Sequence, residues 1–169
     1  MASTPVTGYT FAQRAVHWLM ALLIFFNLLF SDGMEHWNRL VRHGETVTAN
    51  DIASANIHAY VGIAILLLFF VRLAMRLSYG APDAPEEEPP LIQLGAKIAH
   101  YTLYLLFLIM PLSGIAKYYF GLSLPGELHG GIFKVALWAL IVAHILGAMV
   151  HQFYWKTNVL ARMTTGVKS

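Results

Sequence analysis

The sequence predicts an all-α protein, a four-helix transmembrane bundle with both termini on the cytoplasmic side. Three observations lead there. Four stretches are long and apolar enough to cross a bilayer as helices. The chain is 57% hydrophobic and only 12% charged, with a mean hydropathy of +0.58, well outside the range of soluble domains. Five of the eight histidines, His17, His58, His100, His144 and His151, lie inside or at the rim of those stretches, and His129 stands at the mouth of the last one. An imidazole in lipid is costly unless a partner compensates it, so a set this large points to a bound group.

The first helix is expected over about 14–31, around AVHWLMALLIFFNLLF. Arg14 before an apolar run resembles a signal peptide, but no small-residue cleavage site follows, and His17, Trp18 and Asn27 are foreign to such a run. A retained helix is expected. The second covers about 57–77 (IHAYVGIAILLLFFVRLAMRL), the third about 98–117 and the fourth about 131–153. Residues 31–56 form a loop that hides a helix-forming piece near Thr48 to Ala55. The link APDAPEEEPP (81–90), with four prolines and four acidic residues, reads as a solvated connector. Pro111 is expected to kink the third helix.

With four spans the termini share one side, which carries Arg14, Arg72, Arg76, Lys97, Lys156, Arg162 and Lys168. The other side carries Arg39, Arg42, Lys117 and Lys134. The excess of cations places the termini in the cytoplasm. Trp37, Tyr118 and Tyr119 at one interface, and Tyr154 and Trp155 at the other, fit aromatic belts.

Depth then sorts the histidines. His17 lies about one turn inside the cytoplasmic end of the first helix, and His100 lies at similar depth in the third. His58 opens the second helix at the periplasmic end. On the fourth helix His129 is periplasmic and His144 is fifteen residues further on, roughly 22 Å of rise and about 60° of rotation away; a π-bulge between them would bring them nearer to one face. Two depth-matched pairs follow: His58 with His129, and His17 with His144. Neutral imidazoles paired across a bundle are natural axial ligands of haem iron.

Other residues keep alternative readings. His100 and His151 suit ligation, quinone contact or contact with haem propionates, and a hydrogen-bonded packing role serves them equally. His36 and His43 sit in a polar loop and read as solvated. Gly62, Gly130, Gly131 and Gly147 leave room for a flat macrocycle or for close helix packing. Arg72 and Arg76, four apart on one face, suit propionates, anionic headgroups or simple snorkelling.

Composition excludes several classes. The net charge of +2, with no basic run interleaved with aromatics, gives no case for nucleic acid. The absence of cysteine removes disulfides, thiolate-bound iron–sulfur clusters, Cys-type zinc sites and covalent CxxCH haem. No HExxH motif or carboxylate within the four apolar stretches suggests another metal, and no nucleophile or general acid suggests hydrolysis.

The chain resembles the bacterial cytochrome b561 family of small four-helix di-haem membrane cytochromes. The residues that carry the likeness are HWL at 17–19, IHAYVGI at 57–63, VRLAMRL at 71–77, AHYTLYLLFLIMPLSG at 99–114 and HILGAMVHQFYWKTNVLARM at 144–163. The last, with its histidine repeated after seven residues, is the most specific. The resemblance covers nearly the whole chain and implies two non-covalent haem b groups, held by His17 with His144 and by His58 with His129. The interval between the fourth helix's two ligands is usually one residue shorter in that family. The resemblance further implies a multi-pass protein of the bacterial inner membrane that exchanges electrons with ubiquinone. Superoxide is the implied periplasmic donor; a positive rim would attract it, with Arg39, Arg42, Lys117 and Lys134 as candidates, and ordinary solvated loop charges explain those residues at least as well. His100, His151 and Trp155 are the candidate quinone contacts. A rival reading is a cytochrome b anchor subunit that carries electrons for a separate dehydrogenase or hydrogenase. A haem-free scaffold or small transporter is the third.

Overall fold

A computed structural model describes residues 8–85 and 88–166 of the chain. The described residues are helical, with no strand among them: α1 (Phe11–Leu29), α2 (Asp32–His43), α3 (Ala49–Tyr79), α4 (Pro90–Phe120), α5 (Ser123–Leu128), a π-helical turn (His129–Phe133), α6 (Lys134–Phe153) and α7 (Val159–Met163). Four runs are long and apolar enough to span a membrane: α1, α3, α4, and the continuous stretch Ser123–Phe153. Lys168, counted above with the cytoplasmic cations, lies outside the described residues.

The helices start where the side chains can satisfy their free N–H groups. At α1 the Thr10 hydroxyl accepts from the Gln13 N–H at 3.2 Å, while the Gln13 side chain accepts from the Thr10 N–H at 2.9 Å. At α3 Thr48 and Asp51 make the same reciprocal pair. That cap extends α3 to 31 residues and absorbs the piece expected near Thr48–Ala55. Pro90 opens α4 at a position where a missing N–H costs nothing. α4 then runs unbroken past the buried Pro111.

The expected 31–56 loop also contains α2. Its first turn carries Asp32 and Glu35, its last Arg42 and His43, and Gly44 at φ +68° closes it in the left-handed region. α2 packs on α3, with Gly33 against Ser54: a Cβ at residue 33 would stand 2.9 Å from the Ser54 Cβ and 3.2 Å from its backbone.

The bundle core joins Met20 and Ile24 of α1, Ile65 and Phe69 of α3, Leu103 and Leu106 of α4, and Leu137 of α6. The outward faces remain apolar. Leu22 is 68% and Leu67 63% exposed, as expected of helices solvated by lipid rather than water.

The end of the bundle where α1 begins, here the near end, is knitted by long-range hydrogen bonds. Gln13 Nε2 donates to the Gly80 carbonyl at 3.1 Å, and Trp18 Nε1 to that of Met163 at 2.9 Å. Arg14 donates to the Thr164 carbonyl, and Arg162 to that of Asp83 at 2.8 Å. The 81–90 link is not wholly solvated. Gln93 Nε2 donates to the Glu88 carbonyl at 2.8 Å, and the Glu88 side chain turns inward, leaving the residue 5% exposed.

Gly33→Leu is expected to lever α2 from α3 and to destabilise the fold by about 1–3 kcal/mol, as overpacking does. Thermal unfolding of the detergent-solubilised protein, followed by tryptophan fluorescence, checks this, with Gly95→Ala on α4 as a control that meets no neighbour within 4 Å.

Candidate functional site

At the far end of the bundle His58 of α3 faces His129 of the π-helical turn, with ring centroids 6.1 Å apart and planes at 76°. His129 is held by the helix it packs on. Its Nδ1–H donates to the Met110 carbonyl at 2.8 Å, and the Ser113 hydroxyl, 3.2 Å away, donates to the same carbonyl at 2.7 Å. A carbonyl only accepts, so Nδ1 carries the proton and Nε2 keeps its lone pair. Gly114 makes this approach feasible: a Cβ there would lie 3.0 Å from the His129 Cε1. His58 is fixed through its backbone, whose carbonyl accepts from Asn27 Nδ2 at 3.1 Å. Its Nδ1 is buried without a partner, as is the Asn27 Oδ1.

His58, His129, Asn27, Met110 and Gly114 line a cleft that opens to the outside, with about 1250 Å³ of space when the solvent at its mouth is counted. Gly62, Phe107, Tyr118, Lys117 and Lys134 complete its wall, and α2 contributes Met34, Glu35 and Trp37 at the mouth. Lys134 reaches Glu35 at 3.2 Å and so ties α2 to α6. Glu35 also accepts from the Ser31 hydroxyl at 2.7 Å. The Ser31 hydrogen bond first, then Lys134, holds the Glu35 carboxyl below its ordinary value of 4.5.

At the near end three imidazoles gather. His17 of α1 and His144 of α6 have centroids 6.2 Å apart with planes at 70°, and His100 of α4 lies 5.3 Å from His144. His100 Nδ1–H donates to the Ala96 carbonyl of its own helix at 2.7 Å. Arg72, four residues before Arg76 on α3, reaches the Gln13 carbonyl at 3.5 Å, and the Arg76 guanidinium lies 5.7 Å from the Tyr104 ring centre. His151 lies apart from this cluster. Its ring contacts Trp155 at 4.9 Å, its Nδ1 meets the Thr157 hydroxyl at 2.9 Å, and its Nε2 is 3.5 Å from a Glu88 oxygen. His36 pairs with Arg39 and Asp51 on the surface, and His43 is exposed at the end of α2.

The fifteen-residue interval from His129 to His144 contains the π-helical turn. A π-turn takes one residue more per turn than an α-helix, so it absorbs the surplus residue and lets both rings face inward. Gly131, at φ −99° and ψ −110°, departs there from helical geometry. Nothing lies within 4 Å of a Cβ placed at Gly130, Gly131 or Gly147, so close helix packing does not account for these three glycines. The glycine set tightly against a histidine ring is Gly114, which appears in the sequence only within the PLSG stretch after the helix proline.

The donor set can be tested against a metal-centred group. An imidazole nitrogen binds a first-row metal at about 2.0 Å and lies about 1.1 Å from its ring centre, so two imidazoles on opposite sides of one ion sit about 6.2 Å apart. The far-end pair and the His17–His144 pair both match that separation; the His100–His144 contact is too short for it. Among the described residues no three or more His, Asp or Glu side chains gather as a ligand cage for a bare ion.

A family model for prokaryotic cytochrome b561 matches residues 8–166. The chain belongs to that family. It is 29% identical to a protein of Cereibacter sphaeroides named cytochrome b562, over 95% of this chain and 97% of the relative. It is also 29% identical to a protein of Yersinia pestis named probable superoxide oxidase CybB, over 92% and 94%. A protein of Escherichia coli K12 named cytochrome b561 homolog 1 matches at 29% over 63% and 72%. This prokaryotic cytochrome b561 is therefore a membrane cytochrome, and its family implies haem b. The paired imidazoles, the unpartnered His58 Nδ1 and the cavity beside them fit such a group.

Two outcomes are expected. Gly114→Val pushes a side chain into the His129 ring and lowers the haem-to-protein ratio, read from Soret absorbance, while the protein still inserts in the membrane. The Glu35–Lys134 tie responds to acid. A depressed carboxyl pKa contributes stability above the ordinary value and loses it as pH falls through the lowered one. Amide-exchange protection of α2 should therefore hold from neutral pH to 4.5 and fall below it, a fall that Glu35→Gln abolishes.

Proposed function

We propose that this cytochrome holds two haem b groups, one at each end of the bundle, and carries electrons from superoxide at the periplasmic face to ubiquinone near the cytoplasmic face. The single observation that carries the reading is the repeated geometry: two imidazole pairs, at opposite ends of one bundle, with centroids 6.1 and 6.2 Å apart. His58 and His129 are the ligands at the far end, and His17 and His144 those at the near end. The near end is cytoplasmic, since it carries Arg14, Arg72, Arg76, Lys97, Lys156 and Arg162 against Arg39, Arg42, Lys117 and Lys134. The protein then crosses the bacterial inner membrane four times.

Bound haem supplies reversible one-electron storage, with its potential set by axial ligands and burial. The chain's own part is to orient donors and to grade access. Met110 and Ser113 fix the His129 tautomer, so that Nε2 is the free donor atom. Asn27 anchors the backbone of His58 opposite. At the near end, Arg72 and Arg76 lie near His17 and His100 and would neutralise the propionates of a haem held there.

Lys117 and Lys134 line the far-end cavity and favour entry of a small anion. Arg39 and Arg42 lie outside that lining, so the anion-attracting role rests on the two lysines. The relative named probable superoxide oxidase supports superoxide as that anion. Ubiquinone is received beside His151 and Trp155, with His100, which lies against His144, as the third contact.

Purified protein is expected to contain two haems per chain by pyridine haemochrome assay, with one lost in His17→Ala and one in His58→Ala. Superoxide should reduce the wild-type haem bands, and a short-chain ubiquinone should reoxidise them with formation of quinol. Unchanged haem content in either alanine variant defeats the ligand pairs. Reduction only by a co-purified dehydrogenase, with superoxide inert, makes the protein an anchor subunit instead.

A further inference from the structure

Between Ala15 and Phe30 the first span carries one amide side chain, Asn27. An amide set among apolar helices is costly unless both its ends are used. Asn27 uses one of them. Its Nδ2 donates to the His58 carbonyl at 3.1 Å, while its Oδ1 is buried with no hydrogen-bond partner. A carbonyl only accepts, so the amide cannot be turned round: nitrogen faces the His58 carbonyl and oxygen is the end left over. The neighbouring helix leaves room for it. Gly62 follows His58 by one turn, and a Cβ at that position would stand 3.8 Å from Asn27 Nδ2, so anything larger than a methyl there would crowd the amide.

His58 has the complementary deficit. Its Nδ1 is likewise buried without a partner. Both residues line the far-end cleft, where His58 faces His129 with 6.1 Å between ring centres. When Nε2 of a neutral imidazole gives its lone pair to a metal, the proton sits on Nδ1, which becomes a donor. His129 meets that demand through the Met110 carbonyl at 2.8 Å, and His100 engages the carbonyl four residues back, that of Ala96, at 2.7 Å. His58 makes no such bond to Ser54, four residues back in its own helix. The Ser54 backbone lies against α2 instead: a Cβ at Gly33 would stand 3.2 Å from the Ser54 carbonyl oxygen. Asn38 Oδ1 of α2 is a third buried, unpartnered atom of the cleft lining, but among the described residues no hydrogen bond ties Asn38 to His58. The orphaned acceptor of Asn27 and the prospective donor of His58 belong to residues that are already joined.

We infer that Asn27 is the positioning residue of His58: Nδ2 holds the ligand's backbone, Oδ1 accepts the ligand's Nδ1–H, and the far-end haem is thereby tuned to a lower potential. This rests on the haem reading above, with His58 and His129 as axial ligands. An acceptor on Nδ1–H draws the proton away from the ring, makes Nε2 a stronger donor and so favours the oxidised iron. The far-end haem then parts more readily with the electron it receives, and the electron moves on toward the near end. Asn27 touches neither the iron nor the electron donor and acts only through His58.

The test is a redox titration of the purified, haem-loaded protein, with the two haems followed by their α-bands and the far-end one identified by its loss in His58→Ala. Asn27→Leu keeps the volume of the side chain and removes both of its polar ends. It should raise the far-end potential by about 59 mV, a tenfold shift in a one-electron equilibrium, and leave the near-end potential unchanged. Asn27→Asp keeps an acceptor of the same shape without the amide donor, and should hold the far-end potential at or below the wild-type value. Asn38→Leu should move neither. A wild-type potential in Asn27→Leu overturns the inference. Equal rises in the Leu and Asp variants also overturn it, since they would mark a backbone anchor alone, as does a far-end shift produced by Asn38→Leu in place of Asn27→Leu. If Asn27→Leu sheds the far-end haem, Asn27→Asp decides: a potential at or below wild type upholds the role and a higher one overturns it. Retention of both haems in His58→Ala overturns the ligand reading itself, and the tuning role with it.

Discussion

An imidazole buried in a membrane has two nitrogens, and each must be given something to do. That constraint organises this protein more than any apolar contact. His129 gives Nδ1–H to Met110 across the bundle, His100 gives its own to Ala96 along one helix, and His151 meets Thr157. In each case Nδ1 is engaged and Nε2 is left over, so the fold sets up lone pairs or exchangeable protons at chosen positions. His58 differs: its Nδ1 is buried with no partner, the polar atom most clearly awaiting one.

Meeting this constraint shapes the backbone around it. The Met110 carbonyl is reachable because Gly114, one turn on, has no side chain to block His129. The π-helical turn at His129–Phe133 corrects the phase of the helix so that His129 and His144, in one element, serve opposite ends. Without that correction the two rings would diverge by about 60°. Pro111 sits in the same stretch, in a helix that stays continuous, so the glycine, the serine and the carbonyl they share form one small pocket for an imidazole.

How much of this was legible in the sequence depends on how local each determinant is. The four spans and the depth of each histidine follow from length, polarity and a rise of about 1.5 Å per residue, which need no tertiary knowledge. The phase problem on the last helix is visible too, since fifteen residues at about 100° each do not close on one face. α2 was less visible because its signals, acidic residues at one end and a basic pair before Gly44 at the other, sit in a segment polar enough to pass for loop. Gly114 and Glu88 lay beyond reach for a different reason. The first matters only because a histidine fifteen positions later packs on it. The second belongs to a link whose overall composition signals solvation while one of its side chains turns inward.

The two ends of the bundle are closed by different physics. α3 and α7 both finish at the near end, and a helix that finishes leaves carbonyls without intrahelical donors. Gln13, Arg14 and Trp18 of α1 supply donors to Gly80, Thr164 and Met163, so the near end is sewn together through backbone acceptors that cannot rotate away. The far end relies instead on α2 laid over a cavity and tied to α6 through Glu35 and Lys134, two side chains partly open to water. An exposed ion pair of this kind contributes little stability and exchanges readily. On the function proposed above, a small water-borne donor would pass where that tie opens, and the quinone would enter between helices at the sewn end.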